Sequence, residues 1–163
     1  MVVLIVNAHP DMENVEAFEI PDDHEWNLDI LIPSTGELRE NVKLTRTEEI
    51  EIPNSRGTCN LLLKVGKNVY ATLLIENIPK VTTSVIGSEE AETGKAVPVL
   101  AVDCRGCEIK SWKPTGFYKV TTPTGTVFNE VDLQSGEWYD VDPESNIPVS
   151  IMSMKSTIEV YRK

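Results

Sequence analysis

Histidine is nearly missing from this chain: His9 and His24 are the only two in 163 residues. A Ser-His or Cys-His catalytic pair therefore has two candidate bases, and neither sits in a recognisable motif. There is no phosphate-cradling glycine loop, no nucleophile elbow and no His-Glu-x-x-His. Cysteine is scarce as well, and an odd set of three, Cys59, Cys104 and Cys107, suits reduced thiols better than a disulfide framework. No apolar run approaches the roughly 20 residues that span a bilayer, and Val2 to Val6 is too short for a signal-peptide core. Positive charge is in deficit: 15 Lys and Arg against 26 Asp and Glu leave a net charge of -11, with no basic patch in view. Such a surface repels nucleic-acid phosphates and anionic lipid, so neither nucleic acid nor membrane is an expected partner. The expectation is a cytoplasmic monomer.

What is present is strand chemistry. Val97-Pro98-Val99-Leu100-Ala101-Val102 has no polar face and reads as a strand covered on both sides, ending in the polar turn Asp103-Cys104-Arg105-Gly106-Cys107. Val2 to Ala8 is a β-branched strand with His9-Pro10 marking its exit. After a loop that closes at Pro21-Asp22-Asp23, Trp26, Leu28 and Ile30 alternate with polar residues, the pattern of a strand with one wet face. Pro33-Ser34-Thr35-Gly36 turns that strand into a hairpin, and Gly66-Lys67-Asn68 turns a second one between Asn60–Val65 and Val69–Ile75. Glu48, Glu49 and Glu51 read as a solvated face, and Glu89 to Gly94 as an exposed loop or a single helical turn. Short strands between Pro and Gly punctuation follow, with Trp112 and Trp138 assigned to packing and Asp140 and Asp142 to turn-capping and solvation. No stretch keeps a helical period for three turns. The expected fold is one all-β domain over 1–163, a sandwich or barrel of short, mostly antiparallel strands with two knuckle-like hairpins.

One motif carries arguable chemistry. Cys104-Arg105-Gly106-Cys107 is a CxxC, which supplies half of a zinc site or a redox pair. Zinc wants four ligands, so completion needs Cys59 together with His9, His24 or a carboxylate brought in by folding. The plainer reading is a pair of thiols without metal, Cys104 buried as a small apolar residue.

The order and spacing of several pieces resemble the eukaryotic CXXC-motif-containing zinc-binding proteins, an uncharacterised family. The pieces are Asp103-Cys104-Arg105-Gly106, Gly125-Thr126-Val127-Phe128, Val131-Asp132-Leu133 and Trp138-Tyr139-Asp140-Val141-Asp142, with Trp26-Asn27-Leu28, Gly36-Glu37 and Arg56-Gly57 extending the match forward. The resemblance implies an all-β domain in which two CxxC hairpin knuckles close a Cys₄ zinc site. Laid over that pattern, the four ligand positions of this chain carry Ile32, Thr35, Val65 and Asn68. Two of these cannot coordinate zinc and two are poor ligands for it. The expectation is no cofactor: a lost zinc site, with Ile32 and Val65 packing where the metal would stand. The resemblance also makes Cys104 a signature cysteine that is not a ligand, and Cys107 an addition. The function expected is a non-catalytic interaction or scaffold module whose partner is another protein. The alternative is zinc or copper handling by Cys104, Cys107 and Cys59; an enzyme lacks any supporting constellation.

Overall fold

The computed structural model describes residues 2–93 and 95–162. The first half runs β1 (Val2–Glu13), β2 (Ala17–Glu19), β3 (Trp26–Ile32), β4 (Glu37–Leu44), β5 (Ile50–Glu51), β6 (Thr58–Cys59), β7 (Leu61–Gly66) and β8 (Val69–Glu76). The second runs β9 (Val85–Gly87), α1 (Ser88–Thr93), β10 (Val97–Arg105), β11 (Glu108–Lys113), β12 (Phe117–Thr121), β13 (Val127–Asp132), β14 (Trp138–Val141) and β15 (Pro148–Val160). The protein is all-β, as its punctuation predicts, and α1 is the helical turn that the loop reading of Glu89 to Gly94 had left open; Gly94 itself lies outside the described residues. No helix among the described residues is long and apolar enough to cross a membrane.

A six-stranded sheet in the order β14-β15-β1-β10-β8-β7 curls into a half-barrel. β10 lies inside it, between β1 and β8, and Val99 through Cys104 are all buried. That is the burial its continuous apolar run demands: with neighbours on both edges and cover on both faces, each large side chain contributes roughly 1.5–3 kcal/mol. Two smaller sheets, β11-β3-β4 and β13-β12-β2-β9, line the same core, and β5 and β6 pair by themselves. Phe18 of β2, which has no exposed surface, stacks on Tyr118 of β12 with ring centroids 4.9 Å apart.

Two expectations need correction. β1 does not stop at His9-Pro10 but continues to Glu13. Beyond Ala8 it keeps only β15 as a ladder partner, and a strand with one open edge tolerates a proline that lacks its donor. A bulge follows at once, where Asp11 pairs Ser153 and Met12 pairs Ile151, leaving Met152 as the extra residue. Nor does β3 have a wet face. It is the middle strand of its sheet, and its polar residues Asn27 and Asp29 are buried along with Trp26, Leu28 and Ile30.

Bulges on both neighbours make the burial of Asp29 tolerable. The register skips at Lys110 on one side and at Glu40-Asn41 on the other, with Asn41 in the left-handed region at φ 56°. These kinks turn three donors onto one carboxylate: Asn41 N at 3.1 Å, Ser111 Oγ at 2.9 Å and Lys113 Nζ at 3.2 Å. Burial pushes the carboxyl upward, but the three donors outweigh it and hold Asp29 below the usual carboxylate range.

Candidate functional site: two hairpin tips and a dithiol corner

The first hairpin tip closes because Ile32 O accepts from both Thr35 N at 3.2 Å and Gly36 N at 2.9 Å. Gly36 supplies the φ of +73° that this turn requires. Thr35 points to solvent and its hydroxyl accepts from Glu37 N at 3.2 Å, whereas Ile32 has no exposed surface. At the second tip Gly66 pairs Val69 around Lys67-Asn68, with Asn68 in the left-handed conformation that asparagine adopts most readily among side-chain-bearing residues. Asn68 is exposed and Val65 is half-buried against the same core that contains Ile32.

A contact not foreseen in the sequence ties the two hairpins together. Arg39 of β4 donates from Nη2 to Lys64 O of β7 at 2.7 Å, while its Nε donates to Glu37 at 2.6 Å. The guanidinium thus bridges an edge of the small sheet to an edge of the large one. Nothing in the local sequence distinguishes Arg39 from any other exposed arginine, because the partner is a backbone carbonyl 25 residues away.

The third part is the corner where the chain leaves the six-stranded sheet at the end of β10 and enters the three-stranded sheet at β11. Gly106, at φ +75°, bends the chain there, with its Cα side packed against Ala71 of β8. Cys104 and Cys107 are both buried, at 3% and 6% exposure, and Cys107 Sγ donates weakly to Thr72 O at 3.9 Å. The neighbouring Cys107 thiol, together with burial and the nearby Asp103 and Glu108 charges, pushes the Cys104 thiol up. Both cysteines are among the residues lining an open groove of about 1010 Å³, walled also by Val2, Leu4, Ile109, Ile158 and Val160, carrying Glu108 and Glu159, and reached on one side by Pro33 of the first hairpin tip.

Cys59 is also buried and reduced, its thiol raised by burial, but it stands on β6 opposite Ile50. Among the described residues no three His, Cys, Asp or Glu side chains form a cluster that would hold a metal ion. His9 Nε2 is 2.8 Å from Thr157 Oγ1 on the neighbouring strand β15. Glu48, Glu49 and Glu51 are solvated, while Asp140 is exposed and Asp142 is not. Asp142 is a buried capping hub: it accepts from the hydroxyls of Thr126 and Ser145 at 2.7 and 3.1 Å and from Glu144 N at 3.0 Å, with Thr124 a further donor. Those donors hold its carboxyl well below the usual range, the Thr124 bond most of all.

His24, a candidate base or zinc ligand in the sequence, stands apart from the cysteines in a packed aromatic site. It is buried, edge-on to Trp26 at 5.1 Å and tilted against Tyr118 at 4.9 Å. Tyr118 Oη gives its single proton to Thr115 O at 2.8 Å, so across the 3.2 Å contact it must accept from His24 Nε2. The ring is therefore assigned as the Nε2–H tautomer, neutral, at the floor of an open cleft of about 1040 Å³.

Residues 4–159 match the family model described as "CXXC motif containing zinc binding protein, eukaryotic". The chain is 26% identical to the UPF0587 protein C2D10.03c of Schizosaccharomyces pombe, covering 94% of this chain and 95% of that one. It is also 26% identical to the CXXC motif containing zinc binding protein of Rattus norvegicus, covering 88% and 89%. Its fold matches a solved structure described as a hypothetical protein from Plasmodium falciparum, with a TM-score of 0.87 at 24% identity over 98% of this chain and 100% of the other.

Proposed function

Because this chain belongs to the eukaryotic CXXC-motif-containing zinc-binding family, we propose that it is a non-catalytic, cytoplasmic member in which apolar packing has replaced the zinc clip, and that it acts by binding another protein. The carrying observation is the residue set at the two hairpin tips. The resemblance places the four ligands at Ile32, Thr35, Val65 and Asn68, and these offer zinc no thiolate. Ile32 is wholly buried and Val65 packs on the same core, while Thr35 and Asn68 face solvent as ordinary turn residues. The residues present do not fit the metal, so no step of the function is routed through it. What a Cys₄ clip would do, holding two hairpin tips at a fixed separation, falls to the shared core and the Arg39 bridge to Lys64 O.

The test is metal analysis of untagged protein, with zinc absent from the hairpins as the expected result. In the reverse direction, the combined variant Ile32→Cys, Thr35→Cys, Val65→Cys, Asn68→Cys should take up one zinc ion tightly, since both turns persist. Stoichiometric zinc held by the unmodified hairpins would refute the reading. Zinc or copper handling at Cys104 and Cys107, with Cys59 a further candidate ligand, is the second reading, favoured by the place of Cys104 and Cys107 on either side of one bend lining the same groove. Against it, Cys59 is not gathered with them into a three-donor cluster among the described residues. Metal that disappears in Cys104→Ser but survives in Cys59→Ser would support this second reading.

A further inference from the structure

We propose that the cleft over His24 receives the indole of a tryptophan presented by a partner protein, with the indole N–H donated to His24 Nδ1. His24 is 6% exposed, and because Tyr118 Oη gives its only proton to Thr115 O, the ring's Nε2–H is donated to Tyr118. That leaves Nδ1 as a bare acceptor, and it has no hydrogen-bond partner among the described residues. Trp112 Nε1 is also unpartnered but is sealed inside the protein, whereas Nδ1 is not sealed and its residue lines the cleft. Gly116, at φ +83°, holds that edge of the ring open: a Cβ there would stand 3.3 Å from His24 Cε1 and 3.7 Å from Nδ1. A ligand that donates to Nδ1 makes its hydrogen bond at the foot of a recess, where the low local dielectric strengthens it.

Indole fits this recess better than other donors do. Pro21, Pro114 and the 57%-exposed Phe117 supply apolar walls for a ring. The lining is balanced in charge, Asp23 and Glu25 against Lys43 and Lys113, the last shared with Asp29, so a chain of net charge -11 offers a neutral group a place here. Indole is a donor with no acceptor. A phenol would bring oxygen lone pairs beside Tyr118 Oη, whose proton is already committed to Thr115 O. Tryptophan is also among the side chains that most often anchor one protein in a pocket of another. The inference rests on the reading of the chain as a protein-binding module. It is separable from the lost zinc clip, because none of Ile32, Thr35, Val65 and Asn68 lines this cleft.

The experiment follows the histidine ring nitrogens of the full chain by NMR while N-acetyl-tryptophanamide is added. The free protein should show His24 protonated at Nε2 and bare at Nδ1. The probe should move the Nδ1 signal upfield as that atom accepts a hydrogen bond, and should shift the Phe117 ring signals. Its 1-methylindole counterpart has no donor, so it should bind roughly 3- to 10-fold more weakly and leave Nδ1 in place. Phe117→Ser, at an exposed position, should weaken the tryptophan probe, and His24→Phe should erase the difference between the two probes. Should His24→Phe fail to fold, the pair of titrations on the unmodified protein decides by itself. A protonated Nδ1 in the free protein, an Nδ1 signal unmoved by the probe, or equal affinity for both probes would overturn the proposal. Tighter binding of N-acetyl-tyrosinamide, or of free tryptophan, would do the same, the latter marking a site for the amino acid rather than for a protein. Stoichiometric zinc at the hairpins would refute the packed-clip reading and leave these titrations unchanged, so the two can fail separately.

Discussion

Lowering the pH from 7 to 5 should destabilise this protein through one side chain, His24. Burial pulls its pKa from 6.5 to about 4, with Asp23 opposing and Lys43 adding slightly. The sign follows from which state binds the proton. Above 6.5 both folded and unfolded chains carry a neutral ring, and there is no linkage contribution. Between 6.5 and 4 only the unfolded chain protonates, so stability falls with falling pH. Below 4 the folded ring protonates as well and the loss levels off. Integrated between pH 7 and pH 5, this costs about 2 kcal/mol, rising toward about 3 kcal/mol at lower pH. Asp29 and Asp142 do not contaminate that interval. Asp29 and Asp142 have lowered pKa values, so what they contribute is present above the ordinary 3.8 and is lost only as pH falls below it. Urea unfolding at half-unit steps gives the slope, and a two-dimensional NMR titration gives the His24 pKa directly. His24→Gln removes the titrating group and should flatten the slope whatever it does to absolute stability. A wild-type profile that is flat between pH 7 and 5, or a His24→Gln profile as steep as wild type, would refute the assignment of His24 as a buried neutral ring.

Other outcomes follow from the same packing. Ile32→Ala leaves a cavity at a fully buried position and should cost about 2–4 kcal/mol in urea unfolding, whereas Thr35→Ala at the exposed tip should stay within about 0.5 kcal/mol. Asp29→Asn should lower stability at neutral pH and flatten the acid limb below pH 4 while leaving the pH 7–5 segment intact. Acrylamide should barely quench Trp26 and Trp112, at 5% and 3% exposure, and most of the observed quenching should vanish in Trp138→Phe. If the zinc site is lost as proposed, a chelator should leave the melting temperature of the unmodified protein unchanged, since there would be no metal-linked stabilisation to remove.

The parts of the fold that sequence reveals are those decided by a single strand's own surface. Val97 to Val102 carries no polar face, so its position inside the sheet is readable without knowing its neighbours. Trp26 to Ile32 alternates, and alternation ordinarily means one wet face, yet Asn27 and Asp29 are covered. The cover comes from bulges on β4 and β11, and a bulge is a property of a pair of strands. Pro10 misleads for a related reason: it signals an end, but whether a strand can carry it depends on which edge has lost its neighbour. At the site, the dithiol is legible from spacing alone. The Arg39 bridge and the buried His24 are not, since each depends on elements joined only in three dimensions.

The pairing of β1 also sets an order of events. Its residue Val2 faces Cys104, and Leu4 faces Val160 on the other edge. During synthesis the first strand therefore waits about a hundred residues for its first neighbour and longer still for its second, which places the chain among slow folders dominated by non-local pairing. Until β10 and β15 arrive, the apolar residues Leu4, Ile5 and Val6 form an uncovered ribbon with two open edges. Strand pairing with another nascent chain competes for that ribbon in the interval, so protection of β1 by a chaperone would be expected to govern yield more than the final stability does.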